Sequence, residues 1–267
     1  MARATLVCMA RNEARNIREW LLFHAALGFD RIILYDHTPI DGTPVEVANA
    51  RNHTNTDIIL IDWNETPKPQ KQSYNHALAT YGATTDWMCF LDSDEFLILE
   101  KDRFLGCFLD RIDNHSAVSI NWLCFGSGGH IDFPPGLVLE SFKWRAVDDF
   151  SVNRHVKSFV RPSETLGFFN PHYFFMREGL DYVDADGNSV EWLKPGKSVR
   201  PTALKTARIN HYFTRSKAHF ANKLKLPLSG KQGHVRDDNF SQMDRNEIFD
   251  DSATRLYGDI VSSIRAP

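Results

Sequence analysis

Residues 87–96 read WMCFLDSDEF, an apolar run that ends in two aspartates with one residue between them. The run 87–91 has the length and composition of a buried β-strand. Because side chains alternate along a strand, Asp92 and Asp94 would point to the same side. Two converging carboxylates repel each other unless a cation lies between them, so the motif predicts a hard divalent metal. The alternative is an ordinary polar turn after a strand.

Similar apolar runs lie along the first half of the chain, separated by helical patterns. Strands are predicted at 5–9, 31–35, 57–61, 87–91 and 117–122, and helices at about 16–28 and at 70–81. Continuous apolar strands that alternate with helices predict a parallel sheet covered on both faces, a doubly wound α/β arrangement. Ligands of such folds bind beyond the carboxyl ends of the strands.

The pattern changes after Gly126, where Gly, Pro and aromatic residues become frequent. A hairpin turn is predicted at 184–187 (DADG), and helices are predicted at 216–224 and at about 244–264. The sequence contains no linker, so we expect one domain with an elaborated C-terminal half.

Polar residues follow three of the predicted strands. Arg11, Asn12 and Glu13 come after the first strand, Asp36 and Asp41 after the second, and the aspartate pair after the fourth. The position of Asp36 is one at which an α/β sheet commonly meets a ribose or a base. These strand ends therefore predict one crevice lined by charged groups.

The charge of the chain is unevenly distributed. The chain of 267 residues has 31 Lys+Arg against 34 Asp+Glu, a formal net charge of −3. Residues 192–236 contain no Asp or Glu, but they contain these basic residues: Lys194, Lys197, Arg200, Lys205, Arg208, Arg215, Lys217, Lys223, Lys225, Lys231 and Arg236. This stretch predicts a surface that meets anions, and a solvated basic face is the alternative.

The sequence also indicates a compartment. No apolar run approaches the ~20 residues of a membrane span, and the N-terminus enters a strand without a secretory pattern. No CxxC motif occurs, and we expect buried reduced thiols at Cys8, Cys89, Cys107 and Cys124. We expect a cytoplasmic protein with a peripheral contact to the inner face of the membrane through residues 192–236.

Several motifs in order along the chain match a known group of enzymes. Residues 10–43, ARNEARNIREWLLFHAALGFDRIILYDHTPIDGT, resemble the N-terminal signature of GT-A fold glycosyltransferases, in particular bacterial family-2-like proteins related to glycosyltransferase family 92. The resemblance spans roughly residues 3–225 and includes the following segments: QKQSYNHAL, WMCFLDSDEF, NWLCFGSGGH, HVKSFVRP, PHYF and INHYFTRSKAHFANK. A DxD motif alone is common, whereas this ordered series is specific.

The resemblance implies a GT-A fold, which is α/β with a doubly wound mixed sheet. It implies a nucleotide-binding half at 1–125, an acceptor and metal half at 126–236, and a helical tail at 237–267. Nucleotide-sugar contacts are expected from Arg11, Asn12, Glu13, Asp36, Gln72, Asp92, Ser93, Lys157 and Arg161. A divalent metal, Mn²⁺ or Mg²⁺, is expected at Asp92, Asp94 and His211, and contacts to the acceptor or sugar are expected from Trp122, His130 and His172. For Trp122 core packing is the alternative, and for the histidines a structural role.

The catalytic base is the point at which the sequence departs from the family pattern. Inverting transfer needs a group that takes the proton of the acceptor hydroxyl. The region after the fifth strand offers only weak candidates, Asp132, Glu140 and Asp148, and none of them stands in the usual acidic motif. The base therefore stays unassigned.

We predict a metal-dependent, inverting glycosyltransferase. It would move a sugar from a nucleotide donor, expected to be UDP-linked, to a glycan, lipid-linked or other hydroxyl acceptor in polysaccharide or glycoconjugate synthesis. No nucleic-acid partner is expected. A nucleotidyltransferase, a phosphatase with a DxD motif and a non-catalytic module that binds a nucleotide sugar or glycan are the alternatives.

Overall fold

A computed structural model describes residues 2–37, 41–64, 67–225 and 237–265 of the protein. The strands are β1 (Ala4–Ala10), β2 (Arg31–Asp36), β3 (Asp57–Asp62), β4 (Trp87–Phe90), β5 (Glu95–Ile98), β6 (Ala117–Cys124), β7 (Trp144–Arg145), β8 (Val156–Val160), β9 (Thr165–Asn170), β10 (Tyr173–Met176), β11 (Tyr182–Val183), β12 (Trp192–Lys194), β13 (Lys197–Ser198), β14 (Arg208–His211) and β15 (Ile248–Phe249). The α-helices are α1 (Ile17–Leu27), α2 (Thr43–Arg51), α3 (Pro69–Tyr81), α4 (Leu105–Arg111), α5 (Val138–Ser141), α6 (Lys217–Leu224), α7 (Asp237–Met243), α8 (Ser252–Leu256) and α9 (Gly258–Arg265).

One large mixed sheet organises the protein. Its order is β3-β2-β1-β4-β8-β6-β14-β5, and β11 pairs with the first residues of β6. The strands β1, β2, β3, β4, β6 and β14 all run in one direction, whereas β5 and β8 run in the opposite direction. This topology confirms the predicted α/β class, and it is the mixed sheet that the GT-A resemblance implies.

The two faces of the sheet carry separate hydrophobic cores. Successive residues of β1 alternate between them: Leu6 and Cys8 pack with α1, α2, α4 and α9, while Val7 and Met9 pack with α3 and β10. Each large apolar side chain that is fully buried contributes about 1.5–3 kcal/mol. Helices therefore cover both faces, as predicted. The packed sheet is a rigid support for the polar residues at the ends of its strands.

The C-terminal segment differs from its prediction. A helix was expected over about 244–264, but β15 pairs with β7 and two short helices follow it. The chain turns at Asp250, whose Oδ1 accepts a hydrogen bond from the backbone N–H of Ser252 (3.0 Å) and whose Oδ2 accepts one from Arg145 Nε (2.7 Å). These contacts hold residues 250–252 against the neighbouring strand β7, so one continuous helix does not form there.

Three smaller features concern a turn, the cysteines and the length of the helices. The turn at 184–187 is confirmed, since Gly187 has a φ of +84° and donates to the carbonyl of Asp184. The four cysteines are free, but Cys107 is exposed on α4 rather than buried. No helix in the described ranges is long and apolar enough to cross a bilayer.

Candidate functional site

The candidate site lies at the edge of the sheet where the parallel strands end. Arg11 follows β1, Asp36 ends β2, Asp92 comes shortly after β4, and His211 ends β14. The antiparallel strand β8 begins at this edge, which brings Lys157 to the same place. The sheet order thus collects residues that are far apart in sequence, as predicted for the strand ends.

The aspartate pair does not lie on a strand. Residues 92–94 form a turn between β4 and β5, and the two carboxylates have different partners. The Oδ1 atom of Asp92 accepts a hydrogen bond from Gln70 Nε2 (3.0 Å), and its Oδ2 accepts one from Lys157 Nζ (2.7 Å). The expectation that strand alternation aligns both aspartates is therefore wrong, because the strand ends before the first of them.

Lys157 is a buried cation beneath this turn. Its side chain is 0% exposed, and its Nζ also lies 3.1 Å from Glu95 Oε2. Burial would lower the pKa of Lys157, but the charges of Asp92 and Glu95 outweigh it and raise that pKa. Burial raises the pKa of Glu95 well above its usual range, against the effect of Lys157. The result is a fully buried ammonium between Glu95, which is also buried, and Asp92, which is partly exposed.

Asp94 is held by a second lysine. Its Oδ2 accepts a hydrogen bond from Lys223 Nζ (2.5 Å), and its Oδ1 lies 3.7 Å from His211 Nε2. Burial would raise the pKa of Asp94, but the charges of Lys223 and Arg215 hold it well below the usual range. Asp94 is therefore an ionised carboxylate with a cation already beside it.

His211 belongs to a cluster of rings around Trp122. The ring centroids of Trp122 lie 4.1 Å from His211, 5.0 Å from His155 and 5.0 Å from His172. Burial lowers the pKa of His211 to about 4, so its ring is neutral at pH 7. Within the described ranges, the buried indole N–H of Trp122 and Nδ1 of His211 have no hydrogen-bond partner. Two buried polar atoms beside Asp94 are thus available to a ligand.

Asp36 is a buried carboxylate that has no hydrogen-bond partner among the described residues. It is 1% exposed, and among the described residues neither of its oxygens accepts a hydrogen bond. Burial, with the charges of Asp41 and Asp62, raises the pKa of Asp36 to about 6. A buried carboxylate without a partner is costly, and such groups occur where a ligand completes the hydrogen bonding.

A basic cavity of about 760 Å³ adjoins the turn. Its wall combines the loop after β1 with α6 and includes Arg11, Asn12, Glu13, Arg15, Asp41, Phe133, Phe213, Arg215, His219, Asn222, Lys223 and Lys225. Cations outnumber carboxylates in this wall, so the cavity favours an anionic ligand.

Arg215 joins the two loops that border the cavity. Its guanidinium donates to Glu13 Oε2 (3.0 Å) and to the backbone carbonyl of Ser93 (3.1 Å). Arg215 has a φ of +47° and Asn12 a φ of +56°. Strained backbone of this kind persists only where surrounding contacts enforce it, and it is frequent at functional sites. Arg215 therefore couples the predicted residues Glu13 and Ser93 to the basic stretch.

The structure does not bring three of the predicted residues to the site. Arg161 follows the far end of β8, about 13 Å along the strand from Lys157, and it donates to the carbonyls of Asp113 and His115. Gln72 Nε2 donates to the carbonyl of Pro67 (2.7 Å), and His130 Nε2 contacts the carbonyl of Ser141 (3.1 Å). These contacts are structural and do not support ligand roles.

The candidate bases also lie apart from the aspartate turn. Glu140 pairs with Arg265, and Asp148 pairs with Arg145 (2.8 Å). Asp132 is exposed, next to the cavity residue Phe133. The base stays unassigned.

Several other residues of the site were not identified individually from the sequence, and the sequence marked them to different degrees. Glu95 directly follows the DSD turn, so its charge was visible, but its burial was not. Arg215 and Lys223 come from the acid-free stretch, which marked them only as a group. Gln70 carries no sequence signal, because its role depends on which strand end it meets in the fold.

The predicted metal ligands assemble only in part. Across 2–37, 41–64, 67–225 and 237–265, no group of three or more His, Cys, Asp or Glu side chains is arranged to hold a metal ion. Asp92 contacts Gln70 and Lys157, whereas Asp94 and His211 are adjacent. Mg²⁺-type sites commonly use one or two protein ligands together with substrate phosphates, so this pair fits a cation that is bound with a phosphorylated ligand.

Comparisons with known proteins address the family directly. The model of glycosyltransferase family 92 matches residues 3–253. A glycosyltransferase family 92 protein of Oryza sativa subsp. japonica is 30% identical over 196 residues, which are 68% of this chain and 31% of that protein. A family 92 protein of Ricinus communis is 29% identical over 189 residues, 66% of this chain and 32% of that protein. The chain thus spans about a third of the length of the curated relatives that it matches.

Solved structures show only a distant likeness. A mannosyltransferase from Pyrobaculum calidifontis, in complex with GDP-Man and Mn²⁺, is 19% identical with a TM-score of 0.42, covering 64% of this chain and 48% of that chain. The family match covers nearly the whole sequence and includes every strand end described above. The chain therefore belongs to glycosyltransferase family 92.

Proposed function

We propose that the protein transfers a sugar from a nucleotide-sugar donor to a hydroxyl acceptor. The observation that carries the proposal lies at one sheet edge: a buried carboxylate with no hydrogen-bond partner in the described part of the chain, together with a cavity rich in cations. Asp36 suits the hydroxyl or N–H groups of a nucleoside, and Arg11, Arg215 and Lys223 suit a diphosphate. Membership of glycosyltransferase family 92 supports the same reaction.

Each part of the site would act on a different part of the donor. Departure of the diphosphate develops negative charge, which the guanidinium of Arg215 and the ammonium of Lys223 would stabilise. The ring cluster around Trp122 would hold a sugar. The aromatic faces suit the apolar C–H face of a sugar, and the unpartnered N–H groups suit its hydroxyls. From the family resemblance we also propose a UDP-linked donor, inversion of stereochemistry at the transferred sugar, and a polysaccharide or glycoconjugate product.

The proposal includes a divalent cation, Mn²⁺ or Mg²⁺. Asp94 and His211 would hold it, because Asp94 is ionised and the imidazole is neutral, and Asp92 is not part of this pair. When bound, such a cation supplies positive charge to the phosphate oxygens of the donor.

Replacing Asp94 with asparagine tests the reaction. We expect the rate of nucleoside diphosphate release from UDP- or GDP-sugars with Mn²⁺ to fall about 100-fold or more, because the anionic ligand of the cation is lost. The measurement is steady-state release of UDP or GDP. Asp57→Asn is the matched control, since this aspartate is also paired with a cation (Arg31, 2.8 Å) but lies at the start of β3 on the opposite sheet edge.

The products separate the alternatives. Equal rates for wild type and Asp94→Asn would contradict the proposed role of Asp94. Release of pyrophosphate instead of UDP would indicate a nucleotidyltransferase, and donor binding without turnover with any acceptor would indicate a binding module.

We also propose a peripheral membrane contact, and the two hairpins β9–β10 and β12–β13 support it better than α6. The rings of Phe169 and Phe175 are exposed and lie 4.9 Å apart. Asn170 Nδ2 donates to the carbonyl of Pro195 (3.0 Å), which joins this hairpin to the exposed Leu193 on the next one. In α6, by contrast, the aromatic residue is buried and the last lysine contacts Asp94. Residues 226–236 lie outside the described ranges.

A vesicle assay tests this contact. We expect the protein to sediment with vesicles that contain anionic lipid, and Lys194→Glu to weaken this binding about fivefold or more, because one basic residue near such a surface contributes about 1 kcal/mol. Phe175→Ser should weaken it as well, whereas Val45→Ser, a control at a still more exposed apolar position on α2, should not. Equal binding to neutral and anionic vesicles would contradict the proposed basis.

A further inference from the structure

Lys223 occupies a position at which a cation is useful to the proposed reaction. Its Nζ donates to Asp94 Oδ2 (2.5 Å) and to the carbonyl of Phe213 (2.9 Å), and it lies 4.3 Å from the centre of the Phe213 ring. The lysine side chain is 27% exposed and lines the basic cavity. It therefore touches both the carboxylate and the space into which an anion would enter.

In this state Asp94 already has a cationic partner. One oxygen is bonded to Lys223, and the other faces His211 at 3.7 Å. A divalent cation that arrived alone would have to take Asp94 away from the lysine. The displaced ammonium would then lie in a wall where cations, Arg215 and Lys225 among them, outnumber carboxylates, which is unfavourable.

A diphosphate in the cavity reverses this balance. It offers Lys223 a new anionic partner, and the long, flexible side chain can reach it from the cavity wall. Asp94 is then free to bind a cation, which the phosphate oxygens also attract. Nucleotide and cation would thus assist each other's binding.

We propose that Lys223 is an internal counter-ion of Asp94 that makes cation binding depend on the nucleotide. The lysine neutralises Asp94 in the empty site and moves to the diphosphate of the donor when the donor binds. The inference rests on the proposed function for the identity of the anion. The competition between lysine and cation for Asp94 does not depend on any nucleotide.

Mn²⁺ binding to the whole chain tests the inference. Free Mn²⁺ is measured by electron paramagnetic resonance with wild type, Lys223→Met and Lys223→Gln, each alone and with saturating UDP. Wild type should bind Mn²⁺ weakly alone and about tenfold or more tightly with UDP, a typical size for coupling between two ligands. Lys223→Met and Lys223→Gln should bind Mn²⁺ about tenfold more tightly than wild type without UDP and should show less enhancement by UDP.

Lys225→Met is the matched control, because this lysine lines the same cavity but its Nζ contacts Asn222 Oδ1 (3.3 Å) rather than Asp94. It should bind Mn²⁺ alone as wild type does. Thermal melting of each variant checks that it is folded.

Two results would overturn the inference: tight binding of Mn²⁺ to wild type without UDP, or no gain in either Lys223 variant. Failure of UDP to bind wild type or any variant would instead count against the proposed function, and the arm with Mn²⁺ alone would still decide the competition for Asp94. Neither conclusion depends on whether Lys223→Met loses sugar-transfer activity.

Discussion

Replacing Lys157 with methionine is expected to lower the free energy of unfolding by about 3–5 kcal/mol near pH 7. The ammonium group is fully buried between Asp92 and Glu95, so its removal leaves the buried Glu95 and the partly exposed Asp92 without their cation. Methionine keeps most of the side-chain volume, so the loss reports charge rather than packing. Urea denaturation at pH 7 gives the measurement.

The pH dependence of this loss identifies its cause. In wild type the raised pKa of Lys157 means that its stabilising contribution is present at neutral pH and is lost only as pH rises through that pKa. In Lys157→Met the buried Glu95, whose pKa burial raises well above its usual range, can take up a proton instead, so the deficit should shrink as pH falls. The double variant Lys157→Met/Glu95→Gln should recover more than half of the loss, since it removes one of the unpaired charges.

A surface lysine provides the reference. Lys101→Met changes an exposed side chain and should shift the free energy of unfolding by less than about 0.5 kcal/mol. If Lys157→Met were no less stable than Lys101→Met, the buried ion group would not contribute to stability.

The sequence was informative where local pattern and sheet topology agree. Asp36 and Arg11 were predicted at the site because strands that run in the same direction must end at the same edge. The prediction for Lys157 came from the family resemblance, and the antiparallel β8 explains it, because the strand begins where its neighbours end. The same strand direction carries Arg161 to the opposite edge.

The parts that could not be predicted depend on contacts between distant segments. Strand alternation was extended to Asp92 and Asp94, but β4 ends at Phe90 and a turn separates the two carboxylates. Whether an aspartate in a turn binds a metal or a lysine depends on which side chains the rest of the fold supplies. Here Lys157 comes from β8 and Lys223 from α6, and neither position can be read from the motif.

The uneven charge of the chain has a local explanation at the site. Arg215 and Lys223 belong to the acid-free stretch, and they pair with Glu13 and Asp94 at the acidic strand ends. The near-neutral net charge of the chain therefore includes ion pairs that form between the acidic strand ends and the acid-free stretch. A ligand that carries a diphosphate would exchange some of these internal pairs for its own.

Replacing Asp36 with asparagine is expected to weaken UDP binding about 10- to 100-fold while making the empty protein more stable. A hydrogen bond to a charged acceptor contributes about 1.5–3 kcal/mol, which sets the loss of affinity. Isothermal titration with UDP gives this measurement. Asp62→Asn is the matched control, since this aspartate ends the neighbouring strand β3 at the same edge but is exposed, and it should change the affinity little.

The stability of Asp36→Asn should depend on pH in a defined direction. The pKa of Asp36 is raised to about 6 by burial and by neighbouring carboxylates, from 3.8 in the unfolded chain. Between these values the unfolded state loses its proton first, so wild type loses stability as pH rises from about 4 to 6 and keeps the full penalty above 6. The asparagine variant avoids that penalty and should gain about 1–2 kcal/mol at pH 8 but little at pH 4. If Asp36→Asn were less stable than wild type at pH 8 and bound UDP with unchanged affinity, Asp36 would be a structural residue.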